Sequence, residues 1–316
     1  KFFLCCILFS SFAFAQKKEV IVRVEPEESP RVRYGVEKMI ASLKQVGYAV
    51  TVEARRGQVF TGPEIVIRFL SSRNWEIERF NDTLRKEGFI LRQEGATHFV
   101  AARDESGFLY GCLELAKRII KEKKLAEGIS IKEQPDMVLR GSAIGIQKPT
   151  YLPGRTVYEY PYTPETFPWL YDKKLWVQYL DSMVANRLNS LYLWNGHPFA
   201  SLVKLEDYPY AVEVDDATFK KNEELFKFLT TEADKRGIWV IQMFYNIIVS
   251  KPFAEKHKIK TQERERPIIP LIADYTRKSI AAFVEKYPNV GLMVALGEAM
   301  EGVGQDDIDW FTKTII

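Results

Sequence analysis

Val290-Gly-Leu-Met-Val-Ala-Leu-Gly-Glu-Ala-Met300 decides how the rest of the chain is read. Its apolar run has the length and composition of a buried strand, and Glu298 stands where the run stops, between the small residues Gly297 and Ala299. Three comparable runs precede it at intervals filled by helical spacing: Val138–Ile146, Asn189–Asn195 and Ile238–Tyr245. Between them, 173–187 repeats apolar residues at Leu175, Trp176, Tyr179, Leu180, Met183 and Val184, the stripe of an amphipathic helix. A second helix is expected from Asp215 to Gly237, a third from Ala273 to Tyr287 with Pro288 as its stop, and a fourth over 307–316. Four βα units with near-continuous apolar strands predict a parallel sheet covered by helices.

The connections separate two parallel architectures. Loops from helix to strand are short, whereas 147–171, 196–214 and 246–272, which follow strands, are long. A barrel whose site is built from the loops after its strands has that asymmetry. A doubly wound sheet wants a glycine-rich phosphate turn after its first strand, and Ile146-Gln-Lys-Pro-Thr150 is not one. The expected fold is therefore α/β: an N-terminal α+β domain, then the first half of a (β/α)8 TIM barrel, truncated because a full barrel takes about 250 residues.

Upstream, the pattern is mixed. Strands are expected at 19–24, 48–53 and 64–69, a helix over 36–46 after a turn at Pro26 and Pro30, and a hairpin of 89–93 with 98–103 around Glu94-Gly95. A helix opens after Asp104, and Gln134-Pro135-Asp136 breaks the pattern. Residues 16–135 thus form one α+β domain and 136–316 the partial barrel. Residues 1–15 join Lys1 to a short apolar core ending Ala13-Phe14-Ala15, the order of a secretory signal cleaved before Gln16. A secreted or periplasmic protein follows.

Without the leader, Cys112 is the sole cysteine, so no internal disulfide can form, and its helical context makes it a small core residue. With only His98, His197 and His257 besides, no metal or other cofactor is expected. The net charge of +3 is spread over interspersed acids and bases, which gives no nucleic-acid footprint, and no apolar stretch is long enough to span a membrane.

Polar residues at the strand ends are the candidate ligand contacts: Gln147 and Lys148 after the first, Trp194, Asn195 and His197 after the second, Tyr245 and Asn246 after the third. Amides and imidazole hydrogen-bond hydroxyls, and an indole face covers the C–H face of a sugar. Loop capping competes with ligand binding at Asn195 and His197, and core packing competes at Trp194. Glu298 is the candidate general acid, since burial at a barrel mouth raises a carboxyl pKa and keeps it protonated. A solvated loop glutamate beside Glu301, Asp306 and Asp307 is the competing reading.

Asp104-Glu-Ser-Gly-Phe-Leu-Tyr-Gly111 and its helix resemble the end of the small α+β domain before the barrel in β-hexosaminidases and α-glucuronidases, and Arg140-Gly141 is similar to the start of their barrels. Tyr287-Pro-Asn-Val-Gly-Leu-Met-Val-Ala-Leu-Gly-Glu298 resembles the matching stretch of family 67 α-glucuronidases. The resemblance implies that Glu298 is the general acid of an inverting hydrolysis and that the base carboxylates come from later strands. β-Hexosaminidases place an Asp-Glu pair where this chain has Gly297-Glu298. The expected substrate is an oligosaccharide or polysaccharide, with Lys148 and Arg155 the nearest cations for a uronic acid. The alternatives are a non-catalytic glycan-binding protein and a β-hexosaminidase-like glycosidase.

Overall fold

A computed structural model describes residues 18–24, 29–54, 62–69, 84–148, 150, 153, 160–245, 248–263, 269–295 and 304–314. The leader, Asn246 and Glu298 lie outside the described residues. The chain divides into two compact units, Lys1–Gln134 and Pro135–Ile316.

In the first unit, β1 (Lys18–Val24), β2 (Tyr48–Ala54), β3 (Glu64–Phe69), β4 (Phe89–Glu94), β5 (Thr97–Ala102) and β6 (Ser130–Glu133) form one mixed sheet in the order β2-β1-β3-β5-β4-β6. Helices α1 (Pro30–Gln45) and α2 (Glu105–Glu122) pack on each other. Helix α1 begins six residues before the expected Val36. Ser29 caps it by accepting from the Val32 amide, and Pro30, expected in a turn, occupies the first helical position, where a missing N–H costs nothing. Asp104 caps α2 through the Gly107 amide at 2.9 Å and takes the Glu87 amide at 2.9 Å, which fastens the helix start to the hairpin. Strand β6, unanticipated because Ser130-Ile-Lys-Glu133 carries one apolar residue, pairs antiparallel with β4. Cys112 is buried and free.

The second unit holds β7 (Gly141–Gly145), β8 (Ser190–Trp194), β9 (Trp239–Tyr245) and β10 (Val290–Ala295), all parallel and neighbours in chain order. The helices are α3 (Lys173–Ala185), α4 (Phe199–Leu202), α5 (Asp216–Lys235), α6 (Lys251–His257), α7 (Pro270–Lys286) and α8 (Gln305–Thr314). Asp172 and Asp215 cap α3 and α5. Helices α4 and α6 sit inside long loops and are too short to show a sequence period.

Register sorts the side chains into two faces. Leu191, Leu193, Val240, Gln242 and Phe244 share one face, all buried, and Phe199 of α4 meets Phe244 and Phe283 of α7 edge-on at 5.0 and 5.7 Å. Tyr192, Trp194, Ile241, Met243 and Met293 share the other, where Met293 is 45% exposed. On that face Gly141 lies under Tyr192: a Cβ there would fall 2.4 Å from the Ser190 oxygen and 2.6 Å from the Tyr192 ring.

The starts of the strands are fastened by asparagines, Asn189 buried and Asn289 half-buried. Asn189 Oδ1 accepts from the Arg140 amide at 2.8 Å and its Nδ2 donates to the Val138 carbonyl at 2.8 Å, so β7 begins at Gly141 and not at the expected Val138. Asn289, at φ 55°, donates to the Ile238 carbonyl at 2.7 Å and so ties β10 to the start of β9. Arg236, 3% exposed, joins two helices by binding Asp181 of α3 at 2.6 Å and Glu232 of α5 at 2.8 Å.

Replacing Arg236 with Ala removes the bonds that join α3 to α5 and should cost about 2 kcal/mol in urea unfolding, with Arg236→Lys only partly restoring it. In the first unit, buried His98 donates Nε2–H to the Ala126 carbonyl at 2.6 Å, and burial lowers its pKa below 6.5. Below pH 6.5 the unfolded chain therefore binds a proton that the native chain refuses, and stability falls with pH. His98→Gln should flatten the acid limb of the urea midpoint by up to ~1.4 kcal/mol per pH unit, the contributions of other groups cancelling between the two proteins.

Candidate active site

Parallel pairing puts the ends of β7, β8 and β9 on one edge, and the sequence candidates gather there by register. Gly145 is opposite Trp194, and Trp194 opposite Met243. Gln147 continues past β7 on the Gly145 face: a Cβ on Gly145 would sit 3.7 Å from Gln147 Cγ and 3.6 Å from Trp194 Cε3. The Tyr245 ring, tilted 47° to the Trp194 indole, has its centroid 6.4 Å away. Gln147, Trp194 and Tyr245 are each half-buried, and Gln147 makes no hydrogen bond within the protein among the described residues. The indole N–H of Trp194 is buried without a hydrogen-bond partner among the described residues.

Two other candidates are committed to the fold. Asn195, 1% exposed, donates to the Ile146 and Tyr160 carbonyls at 3.0 and 3.1 Å and accepts from the His197 amide at 2.9 Å. The side chain bridges the exit of β7 to its loop, the capping role that competed with ligand binding in the sequence reading. His197, 5% exposed, is hydrogen-bonded through Nε2 to the Tyr275 hydroxyl at 2.8 Å and packs its ring on Tyr275 and Phe199. It too belongs to loop packing. Burial drives the Tyr275 pKa up, so the hydroxyl stays protonated there. Lys148 is exposed, its ammonium 5.8 Å from the Phe167 ring centroid.

Sequence reasoning passed over the residues that hold the loops. Asn222 of α5 donates to the Tyr162 and Ser201 carbonyls at 2.8 and 3.1 Å and takes the Tyr171 hydroxyl, which locks the loop after β7 to the helix after β8. Ser201 in turn accepts from the Tyr162 amide at 3.0 Å. In the next loop, Phe253 stacks on Tyr275 at 4.2 Å and Tyr210 is hydrogen-bonded to His257 at 2.7 Å. Tyr208 donates to Asp274 at 2.7 Å, and burial together with that carboxylate pushes the phenol up to about 12. The available signal was the aromatic density of 160–176 and 208–210, which composition alone assigned to core or ligand equally. No cluster of three metal-binding side chains occurs among the described residues. No helix among them is long and apolar enough to cross a membrane.

No protein-family model matches the chain, and no curated protein matches it. Solved structures do. A GH138 enzyme targeting pectin rhamnogalacturonan II is 53% identical over 94% of this chain, with a TM-score of 0.82. The chain spans 32% of that enzyme's length. A mutant β-hexosaminidase of Streptomyces plicatus with bound GlcNAc is 13% identical, covering 92% of this chain and 57% of its own, with a TM-score of 0.58. The GH20 β-N-acetylhexosaminidase of Streptomyces coelicolor A3(2) is also 13% identical, covering 93% and 59%, with a TM-score of 0.58. The mixed α/β fold is thus one found in glycoside hydrolases.

Asn195→Ala leaves two buried carbonyls and the His197 amide without partners. It should lower stability by about 2–3 kcal/mol in urea unfolding, whereas Gln147→Ala should leave the midpoint within about 0.5 kcal/mol of the parent.

Proposed function

We propose that this chain supplies the N-terminal α+β domain and the first four βα units of a secreted (β/α)8 glycoside hydrolase acting on a uronate-bearing pectic polysaccharide. The observation that carries the proposal is the 53% identity along 94% of the chain to an enzyme that targets pectin rhamnogalacturonan II. Three features support it. The four strands are all parallel and add in chain order, as the strands of a barrel wall do. The face opposite the helices presents Tyr192, Met243 and Met293, apolar groups that further strands of a closed barrel would cover. The edge that collects Gln147, Trp194 and Tyr245 is the one on which such barrels do their chemistry.

Glu298, three residues beyond the end of β10, is the proposed general acid. In this proposal the carboxylic acid donates its proton to the glycosidic oxygen as the C–O bond breaks, and a carboxylate from a later strand, about 6.5–9.5 Å away, deprotonates the attacking water on the opposite face. The resemblance of 287–298 to α-glucuronidases supplies that role and not the substrate, which follows the 53%-identical enzyme. Gly297 stands where β-hexosaminidases carry the aspartate that orients an acetamido group, so substrate-assisted chemistry is not part of the proposal. Residues 1–15 are the proposed leader that delivers the protein to the periplasm or the exterior.

The test is hydrolysis of rhamnogalacturonan II oligosaccharides by the complete gene product, followed by chromatography of the released sugars. Glu298→Gln should lower kcat by about 10²–10⁴-fold while calorimetric affinity for the oligosaccharide changes little. Unchanged turnover removes Glu298 from the mechanism, and polysaccharide left intact by the parent enzyme removes the substrate assignment.

A further inference from the structure

Every polar candidate at the strand ends competes for the same role, and hydrogen-bond accounting separates them. The Asn195 amide is used up by two carbonyls and one backbone N–H, and His197 is engaged with Tyr275. Gln147 is different: half-buried at the edge, it keeps both amide hydrogens and its oxygen unspent among the described residues. Beside it, Gly145 ends β7 in extended backbone, and its Cα is exposed. The space that a side chain would fill there is bounded by Trp194 Cε3 at 3.6 Å, Gln147 Cγ at 3.7 Å and Gln147 Nε2 at 3.9 Å. These are ordinary contact distances, so the backbone does not demand glycine: nothing clashes with a Cβ, and φ is not in the left-handed region. A glycine that neither turn nor packing requires, next to an uncommitted amide and the benzo edge of an indole, leaves a gap of a specific kind. One wall is flat and apolar, and the other can both donate and accept.

We infer that Gly145 and Gln147 set substrate specificity: the missing side chain at 145 admits one pyranose ring against the Trp194 indole, and the Gln147 amide reads a hydroxyl or carboxylate oxygen on that ring. The inference rests on the proposed glycosidase reading for its ligand class. A pyranose suits the gap because its axial C–H groups pack on an aromatic surface while its rim oxygens need partners that both donate and accept. Strand order puts Tyr245 on the β9 side of the indole and Gly145 on the β7 side, and in this inference the ring sits on the β7 side.

The test uses the complete gene product and three substitutions, Gly145→Ala, Gly145→Leu and Gln147→Leu, with rhamnogalacturonan II oligosaccharides as the probe. Thermal unfolding is measured on each variant, together with kcat, KM and retardation in polysaccharide-containing gels. Gly145→Ala should fold with an unchanged Tm, because its methyl makes only ordinary contacts, and should raise KM several-fold. Gly145→Leu should raise KM at least tenfold with the fold intact, and Gln147→Leu should lower kcat/KM at least tenfold with no loss of Tm. Parent-like KM and kcat/KM in Gly145→Leu and Gln147→Leu overturn the inference while leaving the glycosidase reading in place. A lowered Tm with parent-like kcat/KM in Gly145→Leu also overturns it, since the gap would then be filled by the protein itself. If the parent binds the polysaccharide without cleaving it, the enzyme reading falls and gel retardation decides: equal retardation of parent and variants overturns the inference, and weaker retardation of the variants supports it. A parent that neither binds nor cleaves sinks both.

Discussion

A parallel strand cannot end in a tight hairpin, so its terminal N–H and C=O groups must find partners on the way to a helix, and burial makes that requirement costly to miss. In the second unit asparagine meets it at both rims. Asn189 and Asn289 hold the starts of β7 and β9 from the next strand along, and Asn195 holds the exit of β7 together with the following loop. The planar amide suits the task, since it donates twice and accepts on one short, stiff side chain. Everything at the candidate site is downstream of these bonds, because they fix how far each strand runs and where its last side chain points.

Above that framework the loops behave as packed structure. Asn222 gathers the loop after β7, the turn at Ser201 and helix α5 into one buried knot. The loop after β8 and the helix after β9 share an aromatic ladder of His197, Tyr275, Phe253 and Tyr208. Buried aromatics contribute both area and directional edge-to-face contacts, which makes them effective spacers between a sheet edge and its surrounding helices. The consequence is a division of labour at the edge: Asn195, His197 and Asn222 are spent on holding loops, while Gln147, Trp194 and Tyr245 stand half-buried beside them.

The two faces of the sheet are built on different terms. One face is sealed by Leu191, Leu193, Val240 and Phe244 against helices. The other alternates bulk and absence, with Tyr192 and Trp194 at the centre and Gly141, Ala143 and Gly145 along β7. At Gly141 the missing side chain is compulsory, since the Ser190 carbonyl and the Tyr192 ring fill the place; at Gly145 it is not. Two glycines four residues apart on one strand thus answer to different constraints.

How much was legible in advance follows from what each signal encodes. Hydrophobic period records burial against neighbours, so the sequence alone determined the alternation of strands and helices and the parallel pairing implied by it. Cap chemistry was legible at Asp104 and Asp215, while Ser29-Pro30 passed for a turn because proline punctuates both turns and helix starts. What needed the folded chain was the fate of each polar side chain. Asn195 and Gln147 are both amides beside apolar strands, and nothing in their local sequence says that one is surrounded by carbonyls from residues 35 and 49 positions away while the other has none. Partners so distant in the chain are brought together only by tertiary packing, and hydrogen bonding is decided by those partners rather than by residue type.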